Sequence, residues 1–235
     1  CVLELGGKSA AIVHDDADLE AFERDIRWGI FFNAGQVCSA MSRVLVHESR
    51  HDELMERAVG VARSLSVGPG AERTESGPTM GAMVSEAQRD RAAGFVERAQ
   101  AQGAAVATGG RALNLPGAFM EPTVLTGVAP DMEVAQQEVF GPVISVIPFR
   151  DEAEAIEIAN GTDYGLVGGV FTRSLDRATR AAGAIRAGQV FVNEWFAGGV
   201  ETPFGGYGKS GYGREKGREA LWNYVQTKNV AIRLQ

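Results

Sequence analysis

Cys38 closes the run Phe32-Asn33-Ala34-Gly35-Gln36-Val37-Cys38, where a helical pattern gives way to a glycine-containing turn. A lone cysteine is more often a small buried hydrophobe than a nucleophile. Its surroundings here favour the nucleophile. A thiol attacks as the thiolate, so a reactive cysteine needs backbone N–H donors or positive charge close by. The polar Gly35-Gln36 turn offers such donors, and the same N–H groups can steady an oxyanion on a substrate. Gly35 also leaves room for a ligand to approach the backbone. Glu4, within Leu3-Glu4-Leu5-Gly6-Gly7-Lys8-Ser9, is the second candidate. A single Glu between leucines is ordinarily a solvated strand residue. The two glycines after it let the chain bend tightly or pass close to a ligand, and a carboxylate in apolar surroundings suits a general base.

Other chemistries find little support. His14, His47 and His51 have no metal-ligand spacing with one another or with the cysteines, so no metal site is expected. The diglycine segments lack the G-x-G-x-x-G arrangement, and no P-loop occurs. A net charge of -7 gives no basis for nucleic acid or an anionic membrane as partner. No apolar run approaches the length of a membrane-spanning helix. Two cysteines make no disulfide framework, which points to a reducing, cytoplasmic setting. The chain of 235 residues opens on Cys rather than Met, already at a strand-to-loop transition, and reads as part of a longer protein.

The elements that must position these residues alternate between strand and helix. Ser9 to His14 reads as a buried strand. Asp18 to Asn33 follows as a helix with Leu19, Phe22, Ile26 and Ile30 along one face. Arg43 to Glu48 is a strand, with Ser49 as cap for a helix from about His51. Val67 to Pro78 is a Gly/Pro-rich loop. Ser85 with Gln88 forms a capping box for a helix to about Gln102. Ala104 to Gly117 holds a short strand and turns, and Pro122 to Gly127 and Val143 to Pro148 are strands. Asp151 and Glu154 cap a helix to Asn160. Gly168 to Thr172 is a strand, Ser174 caps a helix from Leu175 to Arg186, and Gln189 to Asn193 is a strand. Such alternation predicts an α/β fold with a doubly wound, mainly parallel sheet, its site expected in loops leaving the C-terminal ends of the strands. Val225 to Gln235 reads as an extended tail, and an unpaired strand of this kind invites a second chain.

Five segments carry a resemblance: Glu4-Leu5-Gly6-Gly7-Lys8-Ser9, Phe32 to Cys38, Glu138-Val139-Phe140-Gly141-Pro142, Pro203-Phe204-Gly205-Gly206-Tyr207, and Ser210-Gly211-Tyr212-Gly213-Arg214-Glu215. In order and spacing they resemble the aldehyde dehydrogenase superfamily across the whole chain. Ala10 stands where the family usually has proline. The resemblance implies a catalytic domain over residues 1–224, with residues 1–10 at the cofactor-domain junction, and an oligomerisation strand over 225–235. It implies NAD- or NADP-dependent oxidation of a small-molecule aldehyde to a carboxylic acid by a homo-oligomer, dimer or tetramer. Cys38 then forms a thiohemiacetal and a thioester, and Glu4 activates the water that hydrolyses it. The Cys38 N–H supplies part of the oxyanion hole; the second donor, an asparagine amide, belongs to the cofactor domain.

For the cofactor, the resemblance assigns Glu138 to the ribose on the nicotinamide side and Phe140 to the ring's flank. The backbone of Leu5 and Gly6 approaches the nicotinamide. Glu215 matches an acid near the water route, a possible proton relay, and reads equally well as a Glu favoured at a helix N-terminus. Phe32, Val37, Ser39, Trp195 and Phe204 match the aldehyde pocket, with Asn193 shaping the loop that carries Trp195. Trp195 and Phe204 can also hold a cationic amino-aldehyde through cation–π attraction.

Rival readings remain. A CoA-acylating relative passes the acyl group to a thiol instead of water; Glu4 favours hydrolysis, and product analysis with and without CoA separates the two. A Cys-His hydrolase would pair Cys38 with His47 or His51. The isolated chain can also be an inactive catalytic-domain remnant serving assembly.

Overall fold

The structure, a computed structural model, describes residues 1–70 and 79–234. Its centre is a run of short apolar strands. β1 (Leu3–Glu4) precedes β2 (Ala10–Val13), whose four residues are all buried. After α1 (Leu19–Phe31) come β3 (Arg43–His47), α2 (His51–Ser64) and α3 (Glu86–Ala101). Then follow β4 (Ala105–Thr108), β5 (Thr123–Thr126), α4 (Glu133–Gln136), β6 (Val143–Phe149) and α5 (Glu152–Asn160). The remainder comprises β7 (Tyr164–Gly165), β8 (Val167–Phe171), α6 (Leu175–Ala184), β9 (Gln189–Val192), β10 (Tyr207–Gly208) and β11 (Gly211–Tyr212).

Seven strands form one sheet in the order β4-β5-β6-β3-β2-β8-β9, parallel throughout except for β4 at the edge. From β2 the chain steps through α1 to β3 on one side, and from β8 through α6 to β9 on the other. Right-handed crossovers in opposite directions place helices on both faces. Accordingly α1 packs on α2, and α5 on α6. The doubly wound α/β architecture is as expected. α1 buries Leu19, Phe22, Ile26 and Ile30, the stripe read from the sequence, and each such side chain contributes about 1.5–3 kcal/mol. Asp18 caps it, accepting the Ala21 N–H at 3.0 Å.

Three expectations change. The candidate residues do not follow the C-terminal ends of the strands. Glu4, Cys38 and Glu138 lie in the segments entering β2, β3 and β6, at the strands' N-terminal ends. Those strands are neighbours in the order β6-β3-β2, so parallel pairing sets the three entering segments side by side. Second, Ser49 does not cap α2. A 3-10 turn takes up Glu48–Arg50, Arg50 stands at the cap, and the Ser49 N–H donates to His47 Nδ1 at 3.3 Å. Third, α6 ends at Ala184, two residues short, because Ile185 turns to extended backbone. Of the loop expected over Val67 to Pro78, residues 71–78 lie outside the described residues, as does Gln235 of the tail. Residues 225–234 carry no regular structure and expose Val230, Ile232 and Leu234.

Candidate active site

The two glycines after Glu4 are where the segments meet. A Cβ on Gly7 would stand 2.6 Å from the Cys38 carbonyl oxygen, so only glycine lets the Glu4 segment press against the Cys38 turn. The Gly7 N–H donates to Glu138 Oε1 at 3.1 Å. A Cβ on Gly6 would collide with that same carboxylate. Thus the first three motifs, the third of them 131 residues on from Gly7, touch around one dipeptide.

The turn before Cys38 is held in an uncommon conformation. Asn33 and Ala34 are left-handed, at φ 51 and 53, a conformation costing an L-residue roughly 1 kcal/mol or more. Cross-bonds hold it: Asn33 Nδ2 donates to the Gln36 carbonyl at 3.0 Å, and Gln36 Nε2 returns one to the Asn33 carbonyl at 3.1 Å. Gln36 Oε1 also accepts the Val84 N–H at 2.9 Å, tying the turn to the segment before α3. Gln36 therefore builds the loop through its side chain.

Cys38 is half-buried and unoxidised. Burial raises its thiol to about 11, aided by a hydrogen bond with Glu4 and by the Glu4 charge. The Ser39 N–H and hydroxyl pull in the opposite direction and do not win. In the resting chain burial and the nearby carboxylate outweigh the donors that favour the thiolate. Low dielectric and a facing anion both disfavour a second negative charge. The Cys38 N–H meets no acceptor among the described residues, which leaves it available to an oxyanion.

Glu4 owes its place to β1, which pairs antiparallel with β11 in the register Leu3↔Tyr212 and Glu4↔Gly211. Gly211 takes φ +104, and a Cβ there would strike the Leu3 carbonyl. Glu4 is half-buried, and its Oε1 is buried with no hydrogen-bond partner.

On the third segment Glu138 is half-buried, and burial raises its carboxyl above the usual range against the pull of the Gly7 N–H, Arg91 and Lys8. Phe140 is left-handed at φ 54. α3 clamps this stretch: Gln88 Nε2 donates to the Val139 and Phe140 carbonyls at 3.0 and 2.8 Å, and Arg91 donates to those of Val139 and Glu138. Glu138 Oε2 lies over Gly6 with no hydrogen bond among the described residues. A carboxylate oxygen left open beside a glycine backbone fits a sugar diol, so the residues present suit a nucleotide ribose.

Phe32, Val37 and Trp195 share the wall of a cleft of about 770 Å³ along the outer face of α1. Trp195 is nevertheless 4% exposed, and its indole N–H donates to the Ser39 carbonyl at 3.1 Å. It supports the Cys38 turn as much as it lines the cleft. Ser39 itself is buried. Asn193 joins Thr172 by a reciprocal pair of 2.9 Å bonds, which sets the exit of β9 as expected. Phe204 is absent from the cleft wall; its backbone pairs with Glu215 and Lys216 Nζ sits 5.4 Å from its ring. Glu215 is exposed, forms that bridge rather than opening a helix, and makes no bond to Cys38 among the described residues. The Leu5 N–H and Gly6 carbonyl are both held by Ser210.

Sequence reasoning missed Trp28, Phe196, Ser210 and the α3 clamp. Trp28 is 59% exposed on the same cleft, one helical turn before Phe32, with the two rings 6.2 Å apart. That i, i+4 spacing was the available signal. Nothing in the sequence shows that Gln88 and Arg91 reach residues about fifty positions on. Among the described residues no group of His, Cys, Asp and Glu is placed to hold a metal.

A half-buried thiol and a half-buried carboxylate thus come together where the strands of a doubly wound sheet begin. The profile of the aldehyde dehydrogenase family matches residues 1–230, and the chain belongs to that family. It is 44% identical to a betaine aldehyde dehydrogenase of Brucella anthropi, over 99% of this chain and 48% of that protein. It is 46% identical to an aldehyde dehydrogenase of Emericella nidulans, over 99% and 46%. An aldehyde dehydrogenase from Bacillus cereus solved as an NAD+ complex superposes with a TM-score of 0.95 at 40% identity, over 100% of this chain and 47% of that one. The chain spans about half the length of the curated relatives it matches.

Proposed function

We propose that this chain is the catalytic half of an NAD- or NADP-dependent aldehyde dehydrogenase that releases a free carboxylic acid. The observation that carries the reading is the close contact of the Glu4 and Cys38 segments at Gly7, which sets the Glu4 carboxylate near enough to the Cys38 thiol to raise it. Cys38 Sγ attacks the aldehyde carbon, and the thiol proton passes to Glu4. The free Cys38 N–H meets the oxyanion. When bound, NAD or NADP would supply the acceptor for the hydride that the captured carbon loses. After its proton has left to solvent, Glu4 takes another from the water that attacks the thioester. The C–S bond breaks, and the acid departs. Glu138 would hold the ribose through the oxygen left open over Gly6, and Phe140 would flank the nicotinamide.

In the protein with its cofactor half, Cys38→Ala abolishes turnover, and Glu4→Gln leaves a burst of NADH followed by slow steady-state release. Rapid-mixing absorbance measures both. Turnover by Cys38→Ala, or unchanged deacylation by Glu4→Gln, would remove the respective assignment. The isolated chain is expected to turn over no NAD.

The cleft supports a cationic aldehyde as substrate. Trp28, Phe32 and Phe196 supply ring faces, and Asp25 and Glu194 supply two acids against one Arg24. The betaine aldehyde dehydrogenases among its relatives point the same way. The kcat/KM for betaine aldehyde is expected to exceed that for hexanal; the reverse order rejects this substrate class.

A further inference from the structure

Ser210 is fully buried, and every polar atom it carries in this neighbourhood is used. Its hydroxyl donates to the Gly6 carbonyl at 2.7 Å and accepts the Gly165 N–H at 3.1 Å. Its own carbonyl accepts the Leu5 N–H at 3.1 Å. The next residue, Gly211, is the ladder partner of Glu4. One serine thus grips the backbone on the C-terminal side of Glu4 and ties it to the ladder formed by β7 and β10.

That grip adds to two short restraints on the Glu4 segment, the pairing of Glu4 with Gly211 and the Gly7 N–H bond to Glu138. β1 has two residues, and a ladder so short is marginal by itself. The Gly6-Gly7 pair that follows is the most flexible dipeptide the code allows. Glu4 Oε1 is buried without a partner, a position from which a carboxylate gains by swinging out to water. Cys38, by contrast, is set by the Asn33–Gln36 cross-bonds and makes no bond to Ser210.

We propose that Ser210 is a positioning residue for thioester hydrolysis, holding the Leu5–Gly6 backbone so that the Glu4 carboxylate stays against the Cys38 acyl group. The proposal rests on the reading of Glu4 as the hydrolytic base. Losing the hydroxyl strands the Gly6 carbonyl and the Gly165 N–H, frees the strand, and leaves the thiol where it was. Acylation then continues while water attack fails.

The test compares wild type, Ser210→Ala, Ser210→Cys and Glu4→Gln in the protein with its cofactor half. Ser210→Cys keeps the volume and offers only a weak donor, so it keeps the test open should the alanine variant fold poorly. Ser210→Ala is expected to keep an NADH burst of one per site and lose steady-state turnover about tenfold or more, with Ser210→Cys in between. Hydroxylamine cleaves a thioester without a general base, so it should restore turnover to both serine variants and to Glu4→Gln. Equal loss of burst and steady-state rates with no rescue by hydroxylamine, or unchanged deacylation in folded serine variants, overturns the proposal. If Glu4→Gln itself deacylates normally, the base reading has failed instead.

Discussion

The Glu4 carboxylate restrains the resting Cys38 thiol. Burial, then the Glu4 hydrogen bond and charge, holds the thiol near 11, so little thiolate exists at neutral pH. Replacing the carboxylate by an amide removes the negative charge and lowers that value. Iodoacetamide should therefore alkylate Cys38 several-fold faster at pH 8 in Glu4→Gln than in the wild-type chain. Peptide mass mapping separates this site from the exposed Cys1. Slower alkylation in the variant would mean that the carboxylate activates the resting thiol.

At the scale of elements, local chemistry set the starts of most helices. Asp18, Ser85, Asp151 and Ser174 each accept the N–H three residues on. Gln88 was expected to close a capping box, yet its amide turns to the Val139 and Phe140 carbonyls, where the left-handed Phe140 needs a partner. Ser49 lost its capping role because β3 runs straight into a 3-10 turn. The segment 225–235 is proposed as an oligomerisation strand: over its described length its apolar residues are exposed, and it pairs with no strand among the described residues. Truncation after Tyr224 should convert a dimer or tetramer to single chains by light scattering. An unchanged mass would exclude the segment from assembly.

For the molecule as a whole, His14 sets an acid limit on stability. It is 2% exposed at the end of β2, edge-on to Phe149, with Nε2 unpartnered. Burial, then Arg177, lowers it to about 4 from an ordinary 6.5. Between those values the unfolded chain binds a proton that the folded chain refuses. Stability is therefore lost as pH falls from about 6.5 towards 4, by up to about 3 kcal/mol. His14→Leu should flatten the fall in Tm between pH 7 and pH 5; an unchanged slope would put the acid limit elsewhere.

The sequence by itself determined the alternation of strands and helices, the apolar stripe of α1, most helix caps and the identity of Cys38 and Glu4 as candidates. The first three rest on local periodicity and capping chemistry, the last on motifs that resemble those of the aldehyde dehydrogenases. Tertiary structure alone decided that the site lies where strands begin. The order β6-β3-β2 aligns segments distant in the chain, and no local pattern encodes which strands become neighbours. It also decided that Gly6 and Gly7 are contact points as well as bends, that Trp28 faces the cleft, and that a serine two hundred residues away grips the backbone beside Glu4. Those facts depend on distances through space, which residue spacing along a chain does not record.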